Sequence, residues 1–139
     1  MKITGLGSGG WRTALALLLL DNGNDVTLWS YRKDEAAHLR ETRENRLLKG
    51  VMLPEALAVT GSMDCLMESE VVVLATPSFA VRETARQAAP LLREDAVVVS
   101  VAKGIEKDTA LCLTQVIEDE LGGRQRVAAL SGPSHAEEV

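Results

Sequence analysis

The sequence predicts an α/β protein built on a doubly wound parallel sheet, and three observations predict it. Apolar runs of strand length alternate with helical stretches along the whole chain. Two of these runs, VVVLA at 71–75 and AVVVSV at 96–101, are almost unbroken, as expected of parallel strands covered on both faces. Residues 2–16, KITGLGSGGWRTALA, set a short strand, a glycine cluster and an Ala/Leu-rich helix in immediate succession, the start of a right-handed β-α-β unit.

The elements follow in order. After the first strand and helix, Asn22, Gly23 and Asn24 supply residues that end helices, and DVTLW at 25–29 makes a second strand. Residues 34–45 are highly charged with few apolar positions, a solvated helix that contains His38, and 46–54 read as a loop. Residues 58–60 form a short third strand. The fourth, over 70–76, is stopped by Pro77 and Ser78, which open a helix reaching about residue 92. A fifth strand over 96–101 precedes Lys103 and Gly104, then a helix over 109–121 and a last strand over 127–130.

The glycine cluster admits two registers of G-x-G-x-x-G. Gly5, Gly7 and Gly10 fit the spacing literally but leave only residues 2–4 as strand, too short an anchor. Gly7 and Gly9 with Arg12 in the third place leave a usable strand, and this register is preferred. In it, backbone N–H groups and the positive end of the next helix approach a pyrophosphate without intervening Cβ atoms. A dinucleotide cofactor is the reading that follows. The third glycine ordinarily allows close helix–strand packing, so Arg12 implies a displaced helix or a side chain turned to solvent or phosphate.

Composition narrows the classes. The 139 residues make one domain with room for a core, 46% hydrophobic and 25% charged. A formal net charge of -5 argues against a nucleic-acid surface. The longest apolar run, over 14–20, is far too short to span a bilayer, and no secretory leader is visible. Cys65 and Cys112 lie far apart without metal-ligand spacing, so no metal site is expected and both read as buried structural thiols in a reducing, cytoplasmic setting.

Ligands of an open parallel sheet collect at the carboxyl ends of its strands. The non-generic residues fall there: Gly7 to Arg12, Ser30 to Lys33, Pro77 and Ser78, Lys103 and Gly104, and Ser131 to Ser134. No acid stands at the end of the second strand until Asp34, whereas Arg32 and Lys33 suit a 2′-phosphate, so the pattern leans towards NADP over NAD. A plain solvated pair is the alternative. Lys103 would project into the crevice towards a substrate oxygen or phosphate. Residues 134–137, S-H-A-E, have the form of a capping box, yet the chain stops within a turn of it. A helix so short does not stand alone, which suggests a longer parent protein.

Taken together, GSGGWRTALA at 7–16, LWSYR at 28–32, ATPS at 75–78, SVAKGIE at 100–106 and LSGPSHAEEV at 130–139 closely resemble the NAD(P)-dependent glycerol-3-phosphate dehydrogenases over the full chain. The K-G-I-E and S-G-P-S-x-A-E-E blocks are more specific than the glycine turn. The resemblance implies a Rossmann-type domain over 1–139 and an oxidoreductase that exchanges hydride between NAD(P)H and dihydroxyacetone phosphate, giving sn-glycerol 3-phosphate for phospholipid synthesis. It implies that Gly7, Gly9, Gly10 and Trp11 line the pyrophosphate, that Tyr31 and Arg32 lie at the adenosine end, and that Pro77 and Ala136 border the cofactor. Lys103 would touch cofactor and substrate, while Gly132 and Ser134 would hold the phosphorylated triose. The proton-transferring lysine of the family lies beyond Val139, in a helical domain, so the fragment alone is expected to be inactive; the full enzyme could be a homodimer. Arg12 departs from the family glycine, and 45–50 lacks the family's tyrosine–leucine–proline run. The sequence also admits a non-catalytic cofactor-sensing module, or a related dehydrogenase with another substrate.

Overall fold

The computed structural model describes residues 1–7, 10–44, 52–102 and 104–130, with Gly10 and Trp11 described by backbone alone. Six parallel strands form one sheet: β1 (Lys2–Leu6), β2 (Asp25–Trp29), β3 (Ala58–Thr60), β4 (Val71–Leu74), β5 (Val97–Ser100) and β6 (Arg126–Ala129). Their spatial order is β3-β2-β1-β4-β5-β6. The chain therefore works outward from β1 in one direction, then crosses to β4 and works outward in the other. That reversal, between β1 and β4, is the switch point at which such sheets open a crevice.

Four α-helices cover the sheet: α1 (Gly10–Asp21), α2 (Lys33–Thr42), α3 (Val81–Ala88) and α4 (Leu113–Leu121). Under α1 and α2, Ile3, Val26, Leu28 and Val73 meet Leu15, Ala16, Ala36 and Leu39. Under α3 and α4, Leu6, Val72, Leu74 and Val98 meet Val81, Ala85, Val116 and Ile117. The alternation of inward residues along each strand divides the apolar side chains between the two faces. Each buried Leu, Ile or Val contributes about 1.5–3 kcal/mol.

Several expectations shift when packed. Gly5 lies inside β1, paired with Leu28 and Val73, which excludes the register that would have used it as the first turn glycine. The charged helix runs over Lys33–Thr42 and ends where Arg43 adopts a left-handed φ of 56°; His38 on it is half-buried rather than fully exposed. The helix after β4 is broken into 3-10 turns at Ser78–Ala80 and Ala89–Leu91, flanking α3. α4 begins at Leu113 rather than 109, because Ala110 stands at φ 57° and the chain crosses back through an Ile105–Cys112 bridge. Cys112 is exposed, not buried. Its thiol caps α4, accepting from the third helical amide while its own N–H donates 2.9 Å to Gln115 Oε1.

Candidate functional site

The site is built from the carboxyl ends of β1, β2, β4 and β5. Gly7 follows β1, and its N–H donates 2.8 Å to the Trp29 carbonyl, which ties the bend to the end of β2. Its φ of 132° is one that only glycine adopts without strain. A Cβ there would also lie 2.7 Å from Arg12 Cδ and 3.1 Å from the Ala75 carbonyl oxygen. The Arg12 stem thus folds back across Gly7, towards the end of β4. A cavity of about 10 Å³ opens beside it under α1, among Gly5, Ala16, Val73 and Ala75.

α1 carries no acid in its first turn, so nothing on that turn neutralises the positive end of the helix dipole. Arg12 adds a cation to the same turn. Burial pulls its guanidinium below the ordinary value, opposed by attraction to Glu35. A half-buried cation at the positive end of a helix is costly, and an anion in addition to Glu35 offsets that cost further. A pyrophosphate is such an anion.

A second observation points the same way. Trp29 Nε1, Thr76 Oγ1 and Ser100 Oγ are buried without a hydrogen-bond partner among the described residues. Trp29, Leu6, Leu74 and Ser100 are consecutive partners across β2, β1, β4 and β5, and Thr76 is two residues past Leu74. Three of the four orphaned groups therefore belong to residues at the carboxyl edge where a ligand would lie, while the fourth, Gln125 Oε1, stands before β6 at the opposite edge. The residues present fit a dinucleotide: a glycine bend, an unneutralised helix start and a polar rim.

Other predicted residues take these places. Tyr31 is 80% exposed just past β2. Arg32 is exposed and donates 3.2 Å to Asp34 Oδ2, while Lys33 is exposed beside Gly61. Pro77 is exposed, and its carbonyl accepts from the Ala80 N–H at 2.9 Å. Gly10 opens α1, and the backbone of Trp11 follows it in the first turn. Gly9, Lys103, Gly132, Ser134 and Ala136 lie outside the described residues, as does the S-H-A-E capping box. Phe79, 90% exposed in the turn after β4, was missed from sequence. Phe79 and Tyr31 are each exposed rings past a carboxyl end, of β4 and of β2, and either could stack on a flat heterocycle. A lone Phe inside a predicted helix gave no signal of that exposure.

No group of three or more potential metal ligands and no helix long and apolar enough to cross a membrane occurs among the described residues.

Residues 2–139 match the family model described as the NAD-dependent glycerol-3-phosphate dehydrogenase N-terminus. A glycerol-3-phosphate dehydrogenase [NAD(P)+] of Chlorobium luteolum is 50% identical over 143 residues, covering 100% of this chain and 43% of that protein. Its Bacillus subtilis counterpart is 44% identical over 142 residues, covering 99% and 41%. The crystal structure of the Coxiella burnetii glycerol-3-phosphate dehydrogenase superposes with a TM-score of 0.88 at 34% identity, over 99% of this chain and 42% of that one. A ketopantoate reductase from Ralstonia eutropha, 19% identical, shares the fold at a TM-score of 0.76 over 93% of this chain and 40% of its own. The chain spans about two fifths of the length of the curated relatives it matches.

Proposed function

Because the chain belongs to the family of the NAD-dependent glycerol-3-phosphate dehydrogenase N-terminus, we propose that its carboxyl-edge crevice binds NAD(H) or NADP(H). Within a complete protein, residues 1–139 would serve a reversible hydride exchange between sn-glycerol 3-phosphate and dihydroxyacetone phosphate. The observation that carries this reading is the glycine-only bend at Gly7, which leads at the switch point into a helix whose first turn holds no acid.

On this reading Gly7, Gly9, Gly10 and the Trp11 backbone surround the pyrophosphate, with Arg12 supplying a second positive charge. Tyr31 and Arg32 face the adenosine. The Arg32–Asp34 pair is exposed, so its attraction is weak, and Arg32 is free to turn to a 2′-phosphate; this supports NADP. Pro77, Phe79 and Ala136 border the cofactor. The bound nicotinamide supplies or accepts the hydride. Lys103 would meet both cofactor and substrate, and its ammonium would stabilise the alkoxide that develops at the carbonyl oxygen. Gly132 and Ser134 would hold the triose phosphate, and the proton would come from a lysine outside this chain.

The test is a titration of NADPH and NADH against the chain, followed by the fluorescence of its two tryptophans, Trp11 and Trp29. Saturable quenching, stronger for NADPH and weakened by salt, is the expected result. Absence of any response from either cofactor, together with no reduction of dihydroxyacetone phosphate by the complete protein, overturns the reading.

A further inference from the structure

Away from the glycine bend, the densest charge network among the described residues is centred on Arg82 of α3. Its Nε and Nη2 donate to both carboxylate oxygens of Glu106, at 2.7 and 2.9 Å. Its Nη1 donates to Asp119 Oδ2 and Glu120 Oε1 on α4, each at 2.8 Å. One turn along, Arg86 donates to Glu120 and to Glu83. An isolated surface pair is worth little, but a two-pronged guanidinium–carboxylate contact within a network is the geometry that holds a position.

Glu106 is the fixed point of the loop after β5. Thr109 Oγ1 donates to its Oε1 at 2.6 Å. Its own N–H donates to the Leu111 carbonyl at 2.9 Å, and its carbonyl accepts from Ala110 at 2.8 Å. The Arg82 guanidinium, with help from Thr109, holds the carboxyl far down, at about 2. The loop begins at Gly104, whose φ of 104° frees the chain to turn there. Lys103 is the residue joined to that glycine, three before Glu106. Arg82 in turn is five residues past Pro77, on the helix launched from the end of β4. One guanidinium thus couples two of the loops that border the crevice.

We propose that Arg82, acting through Glu106, is a positioning residue that fixes the loop over 104–112 for the reaction in which Lys103, the residue joined to that loop in the sequence, takes part. The inference rests on the cofactor-site reading above. A displacement of about 1 Å in a group that contacts reacting atoms can cost on the order of 10²-fold in rate, so a loop anchor outside the crevice has a catalytic reach.

The experiment uses the complete dehydrogenase, with kcat and KM for dihydroxyacetone phosphate measured for wild type, Arg82→Met, Arg82→Lys, Glu106→Gln and Lys103→Ala, each confirmed as folded by circular dichroism. Arg82→Met is expected to lower kcat/KM on the order of 10–100-fold. Arg82→Lys restores only part, since lysine cannot reproduce the two-pronged contact. Glu106→Gln, which leaves Arg82 in place, lowers kcat/KM in the same direction. The deciding measurement is the double variant: with Lys103 already Ala, Arg82→Met costs little more, because its effect passes through that lysine. Equal losses in both backgrounds, or a wild-type kcat/KM in Arg82→Met beside a damaged Lys103→Ala, sinks this inference alone. A wild type without activity sinks this inference, and the cofactor-site reading falls with it when neither NADPH nor NADH is bound.

Discussion

Gly7→Ala probes the bend on which the site depends. At φ 132° an alanine is held in a region it rarely adopts, a strain of about 1–3 kcal/mol. The added Cβ meets Arg12 Cδ at 2.7 Å and the Ala75 carbonyl oxygen at 3.1 Å. The arginine stem can swing away and the carbonyl must yield by a few tenths of an ångström, which together add roughly 1 kcal/mol. Alanine narrows the unfolded ensemble, offsetting about 0.4–1 kcal/mol. The net is a loss of about 2–3 kcal/mol. For a domain of this size each kcal/mol moves the melting midpoint by about 3 °C, so calorimetry should show a fall of roughly 6–9 °C. When Arg12 is already Ala, the same substitution should cost about 0.5 kcal/mol less, since only the contact with the Ala75 carbonyl remains. A midpoint within a degree of wild type would refute the reasoning, and an unchanged penalty in the Arg12→Ala background would show that the stem does not occupy that space.

Three further outcomes are expected. Arg12→Gly should weaken NADPH binding roughly tenfold and flatten its salt dependence, since a charge-assisted contact is lost; tighter binding would mean that the stem obstructs the bend. Leu74→Ala, which empties a 1% exposed site beneath α3 and α4, should cost about 2–5 kcal/mol with an unchanged urea slope. Glu106 is held at about 2, below its ordinary 4.5, so the stability its charge supplies is complete above the ordinary value and is lost as pH falls towards the folded one. Urea midpoints of wild type and Glu106→Gln should therefore lie furthest apart near neutral pH and converge in acid, whereas a constant gap would remove Glu106 as the source.

The strands were legible because their signals are local. β2 and β3 occupy the residues expected of them, an apolar run bounded by turn formers in each case. Gly7 was legible for the same reason, as a strand, a glycine and a helix in sequence. What escaped depends on distant partners. The start of α4 moved because the 104–112 loop is held by Arg82, 24 residues before Glu106, and no window of neighbouring residues reports such a pair. The Cys112 cap was hidden because a thiol is an uncommon substitute for serine or aspartate at a helix start. The orphaned hydroxyls of Thr76 and Ser100 and the bare ring of Phe79 exist only once strands and turns are brought to one edge.

The two rims of the sheet have a consequence of their own. β3 offers three residues and β6 four, with Arg126 opening the latter. Rims so brief give a neighbouring chain few free amides along which to zip, and a cation at the start of one of them repels a second copy aligned in register. The arrangement guards a sheet of otherwise sticky valines against cross-β assembly, and an engineer who lengthened β3 with further β-branched residues would remove that guard.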